Sequence, residues 1–341
     1  MSLRVLFTIP FPYGLGADRW VYWGYKRAFE AEGHEFYIYT EKDNFKELVE
    51  RIKPNILFID GEVLNLLDLP LGTFASLKEK RIKVICQTNI GLDREDNDKI
   101  ENIRNRTRYV DILFTNCAPE MAQKLEDIYG RKVISLPHAA DSEVYYPEKP
   151  HSQFAFDIAF VGSAYTQKGP QFQTLLIPLV KKYRVGLYGP GWTIKDKMAH
   201  FWGGIARKAG FQGLAALINK QRITISQDDE RKLYASAKIC VNLHEYYKDG
   251  YSKNFPIERE FKIPASGGFQ ISDYCKGMEN YFDLKKEIAI AANPAEWFGK
   301  IDYYLRHEKE RKEIQEAGTK KIMNNHTYRH RVKQIIELLE I

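Results

Sequence analysis

Short apolar runs, about five residues each, recur along the chain and alternate with longer stretches whose apolar positions fall at helical spacing. The runs Arg4–Ile9, Glu35–Tyr39, Asn55–Ile59, Lys83–Gln87, Ile112–Thr115 and Lys132–Ser135 predict strands. Asp18–Ala31, ended by Gly33, and Phe45–Arg51 predict helices among them. The pattern restarts after a proline- and charge-rich stretch, Tyr145–Pro150. Beyond it Phe156–Val161, Arg184–Tyr188, Lys238–Asn242 and Phe269–Ser272 predict strands. Gln171–Lys182, Glu296–Leu305 and Glu308–Lys321 predict helices, followed by a basic helix to Ile341. Lys195–Arg222, dominated by Gly, Ala and Lys, also reads as helical. Strands separated by helical spans indicate βαβ units and parallel sheets. The expected fold class is therefore α/β, with two Rossmann-like domains of parallel sheet facing a cleft. The expected domains are 1–148 and 149–320, with 321–341 a C-terminal helix packing back toward the first.

A chain of 341 residues suits two domains. Its 44% hydrophobic and 28% charged residues provide for a sizeable core and exclude a disordered polymer. Basic residues exceed acidic ones by 51 − 45 = 6, which permits an anionic ligand but does not call for nucleic acid. Cys86, Cys117, Cys240 and Cys275 form no CxxC pair, so they read as small side chains in a reducing compartment. MSLRVLFTIP lacks a signal-peptide pattern, and no apolar run approaches the ~20 residues of a membrane helix. A soluble, cytoplasmic protein is expected.

In open parallel sheets ligands bind at the carboxyl ends of strands, so the loops after strands carry the chemistry. After the first strand, Gly14 and Gly16 precede a helix opened by Asp18. A dinucleotide fingerprint would need a third small residue where Arg19 stands, which disfavours a nicotinamide or flavin site. Gly14 and Gly16 read as an acceptor-side edge, and Asp18 as either a helix cap or a catalytic carboxylate. Gly162, Ser163 and Lys168 follow a strand, where glycine admits a phosphate to the backbone and lysine supplies a point charge. Gly189, Gly191 and Trp192 follow another, as a lip over a ligand or a turn capping the core. His244 ends a strand, as a nucleotide contact or a satisfied core histidine. Asn254 leads into a helix with Pro256 at its first position. That helix's free amides and dipole would receive a diphosphate, clamped by Arg259. His326 and His330 are four apart but lack the third ligand a metal needs, so no metal is expected. The basic residues of Arg306–Lys333 read as a solvated helix face.

Several blocks in order resemble CgeB-like glycosyltransferases of the spore maturation protein type. They are Phe160-Val161-Gly162-Ser163, Tyr188-Gly189-x-Gly191-Trp192, Val241-Asn242-Leu243-His244, Arg259-x-Phe261 and Ala265-Ser266-Gly267-Gly268-Phe269-x-Ile271-x-Asp273. Tyr303–His307, His326-Thr327-Tyr328-x-His330-Arg331 and the linker Leu136–Asp141 complete the set, over roughly 110–335. The resemblance implies a GT-B fold, a nucleotide-sugar held mainly by the C-terminal domain, and sugar transfer without an obligatory metal or other cofactor. Related transferases carry a ribose-binding glutamate five residues before the helix-ending glycine, where this chain has Lys262. Either Glu258, one turn earlier, holds the ribose, or the ribose is held otherwise and Lys262 neutralises the diphosphate.

The expected function is transfer of a sugar, hexosyl or similar, from a UDP- or GDP-linked donor. The diphosphate leaving group would be stabilised by lysine, arginine and a helix N-terminus. Ser226 lies where the base would rest, and Asp18 or Asp93 would deprotonate the acceptor if the reaction inverts. The acceptor (glycan, lipid, protein or small molecule) is open, and a peripheral membrane contact is an additional partner. A nucleotide-sugar epimerase or hydrolase of the same fold is the alternative. A non-enzymatic anion-binding module fits less well.

Overall fold

The structure is a computed structural model and describes residues 2–9, 18–40, 42–60, 71–88, 101, 104–105, 107–164, 172–220, 225–244 and 255–340. The chain forms two compact units. Unit 1 comprises Met1–Asp141, Asn254–Pro256 and Thr327–Ile341, and unit 2 comprises Ser142–Lys253 and Ile257–His326. The first boundary thus precedes residue 148. The second unit runs six residues beyond 320, and the helix after Thr327 is part of unit 1.

Unit 1 holds strands β1 (Arg4–Thr8), β2 (Glu35–Ile38), β3 (Ile56–Ile59), β4 (Lys83–Gln87), β5 (Ile112–Thr115) and β6 (Val133–Ser135). Its helices are α1 (Asp18–Ala31), α2 (Phe45–Ile52), α3 (Leu71–Glu79), α4 (Pro119–Tyr129) and, from the chain's end, α12 (Tyr328–Leu339). The sheet order is β2-β1-β3-β4-β5-β6 and every pairing is parallel. β3 and β5 are buried at every position, as parallel strands covered on both faces must be, so they stand out as unbroken apolar runs. One face packs Leu6, Leu57, Val84 and Leu113 against α2 and α4. The other packs Phe7, Phe58 and Phe114 against Tyr22, Tyr25 and Phe29 of α1, with Tyr25 edge-on to Phe58 at 4.7 Å. Tyr22 and Tyr25 are therefore core.

The same layer receives α12 through Tyr328, Val332, Ile335 and Leu339. Gly24 of α1 lies beneath the Tyr328 ring, where an added Cβ would come within 2.3 Å of ring carbons. The linker motif Leu136–Asp141 receives this helix. Tyr328 N donates to Ala140 O at 2.9 Å, Arg331 Nε donates to Pro137 O at 3.0 Å, and Asp141 pairs with Arg27 at 2.5 Å.

Unit 2 holds β7 (Ile158–Val161), β8 (Val185–Tyr188), β9 (Ile239–Asn242), β10 (Gln270–Ser272) and β11 (Ala289–Ile290) in the order β11-β10-β9-β7-β8, all parallel. Its helices are α5 (Ile177–Lys182), α6 (Ile194–Lys208), α7 (Gln212–Lys220), α8 (Gln227–Ser236), α9 (Glu258–Ala265), α10 (Pro294–Arg306) and α11 (Glu308–Asn325). The helix expected over 171–182 is instead a π-helical turn, Phe172–Leu176, leading into α5. Pro178 has no N–H with which to close the preceding turn. The basic run expected as a solvated face contains two buried arginines, Arg311 and Arg331. Arg311 donates to Tyr304 O at 2.5 Å. The four cysteines are buried and form no disulfide, and burial pushes the Cys117 thiol up to about 12. No helix among the described residues is long and apolar enough to cross a membrane.

Candidate functional site

The carboxyl ends of β7, β8, β9 and β10 come together in unit 2. Gly162 N donates to Tyr188 O at 2.9 Å, and Ala164 N to Pro190 O at 2.7 Å, so the loops after β7 and β8 run as one double layer. Gly189 (φ +114°) and Gly191 (φ +95°) occupy backbone conformations that side chains strain. A Cβ on Gly189 would also lie 2.4 Å from the Gly162 carbonyl oxygen. Gly189→Ala is expected to cost about 1–3 kcal/mol and to push the two loops apart. Urea unfolding measures the first effect.

Trp192 packs onto the core beside these loops. Its ring sits edge-on to Phe172 at 5.1 Å and Phe160 at 5.9 Å, and its Nε1 donates to Gly162 O at 2.6 Å. Asp196, in the first turn of α6, is buried and accepts from Gly191 N at 2.5 Å.

The next layer is a buried polar network. Arg259 donates from Nε to Asn242 Oδ1 (2.7 Å), from one terminal nitrogen to Val161 O (3.1 Å) and from the other to Leu243 O (2.9 Å). It fastens the ends of β7 and β9. The free diphosphate clamp expected at this position is thus first a structural bracket. Glu260, fully buried, accepts from Asn242 Nδ2, from Ile257 N (2.8 Å) and from Ser272 Oγ (3.3 Å). This corrects the expected helix start. Ile257 is the cap of α9, Pro256 precedes it, and a carboxylate of the chain meets the first turn. The dipole expected to receive a diphosphate already faces Glu260, with Glu258, the first residue of the helix, also buried.

His244 is fully buried, with Nδ1 2.8 Å from Asp273 Oδ1 and Nε2 3.2 Å from Glu260 Oε1. Its backbone N donates to the same Asp273 oxygen at 3.1 Å. It is a core histidine that locks β9 to β10, not a ligand contact. Burial lowers its pKa, but Glu260 and Asp273 outweigh this and raise it above 6.5. Burial likewise raises the Glu260 carboxyl, against the pull of His244 and Arg259. A raised histidine pKa contributes stability that is present below 6.5 and lost as pH rises through the folded-state value. Wild type is expected to lose stability from pH 6.5 upward, and His244→Gln to flatten that slope, as urea unfolding across the range will show.

Lys262 does not reach toward a diphosphate either. Its Nζ lies 2.9 Å from Glu230 Oε1 of α8, and both side chains are buried. Tyr234 (2.7 Å) and Tyr145 (2.8 Å) donate to the same carboxylate. Ser226 caps α8, accepting from Asp229 N at 3.0 Å and donating to Asp229 Oδ2 at 2.9 Å, so its hydroxyl is engaged. Asp18 opens α1 in unit 1 as its first helical residue. Gly14, Gly16, Asp93, Lys168 and Asn254 lie outside the described residues. His326 and His330 have separate partners. The His326 ring packs on Tyr281 and Phe261, and His330 Nδ1 lies 2.7 Å from Thr327 Oγ1.

Sequence reasoning brought Gly162, Ser163, Gly189, Gly191 and Arg259 to one end of one sheet. It missed Glu260, Asp273, Asn242 and Asp196 as the groups that hold that end together. For Glu260 a signal was present: an acid three residues into a helix is positioned to return to the cap.

Residues 171–337 match a family model described as glycosyl transferase-like. No curated protein matches the chain. Among solved structures, a sucrose-phosphate synthase from Thermosynechococcus elongatus is similar at 11% identity, covering 99% of this chain and 98% of that one with a TM-score of 0.66. A glycosyltransferase from Rickettsia africae ESF-5 matches at 12% identity, 99% of each chain and a TM-score of 0.66. Anabaena Alr3699/HepE in complex with UDP-glucose matches at 10% identity, 99% and 100% coverage and a TM-score of 0.63. The two parallel α/β units of this chain have the fold of the GT-B glycosyltransferases.

Proposed function

We propose that the protein transfers a sugar from a nucleoside diphosphate sugar, UDP-linked in the first instance, to an acceptor hydroxyl, and that it is a CgeB-like transferase of the spore maturation protein type. The observation that carries this reading is the double layer of glycine loops after β7 and β8, bracketed to β9 by Arg259. Bare backbone at the carboxyl ends of parallel strands suits a diphosphate. Supporting it, Alr3699/HepE has the same fold and is a UDP-glucose complex.

In this reading Gly162, Ser163, Gly189 and Gly191 bear on the diphosphate, with Lys168, Asn254 and Arg259. These cations take the place of a metal, so the reaction is proposed to be metal-independent and to use no cofactor. Lys262 is occupied by Glu230, so Glu258 is the proposed ribose carboxylate. The bond from the anomeric carbon to the phosphate oxygen breaks and one to the acceptor oxygen forms. The acceptor proton passes to Asp18 or Asp93 if the configuration inverts. Gly14 and Gly16 are assigned to the acceptor side, and the sugar is proposed to be a hexose.

The test is a thermal-shift and calorimetric screen of UDP, GDP, ADP and TDP, followed by a turnover assay with and without acceptor. Binding of one of them is expected to add about 2.7 kcal/mol of stability at a hundredfold excess over Kd. No stabilisation by any of the four would overturn the proposal, and rapid nucleotide release without an acceptor would turn it into a hydrolase.

A further inference from the structure

The helical pair α6–α7 is built the wrong way out for a surface helix. An ordinary amphipathic helix turns its apolar stripe inward. In α6, Ile194 (78% exposed), Met198 (56%), Phe201 (61%), Trp202 (55%) and Ile205 (43%) all face solvent. At about 100° per residue these five fall within one arc of roughly 100°. The buried side of the helix is Gly203, Ala206 and Asp196. After the turn, Phe211 (63%), Leu214 (51%) and Leu217 (59%) extend the exposed apolar surface onto α7, which packs against α6. Exposed patches of this kind mark docking surfaces.

The polar residues that border the α6 stripe are cationic. On the same angular count Lys195 borders the α6 stripe on one side, and Lys197 and Lys208 on the other, all exposed. Arg207 adds a further exposed cation. The single acidic residue of α6, Asp196, is buried and bonded to Gly191 N, so it does not neutralise the rim. A large apolar face with tryptophan and phenylalanine, edged by lysine and arginine, has the composition of helices that lie in the plane of a membrane interface.

We propose that α6–α7 docks on the surface of an anionic phospholipid bilayer, with Phe201 and Trp202 entering the acyl boundary and Lys195, Lys197 and Lys208 meeting the headgroups. The charge argument selects this occupant over a second copy of the chain, whose identical cationic rim would meet its like across a symmetric interface. The proposal is independent of the sugar-transfer reading, because it concerns a surface outside the strand-end loops.

The experiment is co-sedimentation and flotation of the full chain with vesicles of phosphatidylcholine alone or mixed equally with phosphatidylglycerol. Binding is expected on the mixed vesicles, weaker on phosphatidylcholine by a factor of about ten or more, and weakened by salt. Lys195→Gln and Lys197→Gln should each lower affinity by about fivefold. Phe201→Ser with Trp202→Ser, checked for folding by circular dichroism, should abolish binding. Should that pair fail to fold, Trp202→Phe takes its place: lipids brominated in their acyl chains should quench wild-type fluorescence and largely lose that quenching in the variant. No binding of folded wild type to anionic vesicles overturns the proposal, as does binding unaffected by the Phe201 and Trp202 changes. Concentration-dependent dimerisation abolished by those changes, with no vesicle binding, would reassign the surface to a second copy.

Discussion

Lys262→Met is expected to lower stability by about 3–5 kcal/mol, because it strands the Glu230 carboxylate in a buried site. Burial alone would raise the Glu230 pKa. The Lys262 ammonium and the hydroxyls of Tyr234 and Tyr145 overcome that and hold it below the usual carboxylate range. A depressed pKa contributes stability that is present above the ordinary value of 4.5 and lost as pH falls through the folded-state value. The deficit of Lys262→Met should therefore be full near neutrality and shrink in acid, as Glu230 takes up a proton in both proteins. Glu230→Gln combined with Lys262→Met removes both charges while leaving an amide oxygen for the two tyrosines. That double variant should recover most of the loss. Urea unfolding of Lys262→Met, the double variant and wild type, at neutral and acid pH, forms the test. A single variant as stable as wild type would mean that the pair does not hold α8 to α9.

The second large effect is expected at Glu260, where alanine should cost about 3–5 kcal/mol and abolish the proposed nucleotide binding as well. The truncation would leave Asn242 Nδ2 and Ile257 N without their acceptor and His244 beside an empty site. Asn242 also accepts from Arg259, so the disturbance should pass to the bracket that fastens β7 to β9. Glu260→Gln keeps the shape and one acceptor oxygen, and should recover part of the stability and part of the UDP affinity. Calorimetric titration with UDP beside urea unfolding separates the outcomes. If Glu260→Ala remains folded and binds UDP as wild type does, the network has no bearing on the strand-end loops.

The contrast between these two networks and the rest of the fold shows what a single sequence discloses. β4 and β5 coincide with the runs Lys83–Gln87 and Ile112–Thr115, because the centres of buried parallel strands are apolar. β7 begins two residues later than its apolar run, since Asp157 is drawn to Lys238 Nζ at 2.7 Å. β11 has only two residues, too few to show a period. In the site, glycines after strands were legible because their position alone has meaning. The partners of His244, Lys262 and Trp192 are distant in sequence and so not readable from it: Asp273 and Glu260, Glu230, and Gly162 for the indole. Ser226 is the exception, engaged by a neighbour three residues on, where the capping role is local and was readable. Pairing between elements leaves no periodic trace, so a charged residue at a strand end looks alike whether it meets a ligand or another side chain.

The docking of α12 on α1 has a consequence for how the polypeptide is made. Tyr328 fills the space over Gly24, and Arg331 ties down the carbonyl of Pro137. During synthesis the first 141 residues leave the ribosome with one flank of their hydrophobic layer bare, and it stays so until the segment from Thr327 to Leu339 has emerged. The unit begun first is completed last, so an early-terminated chain would expose Tyr25 and Phe29 to aggregation or to a chaperone.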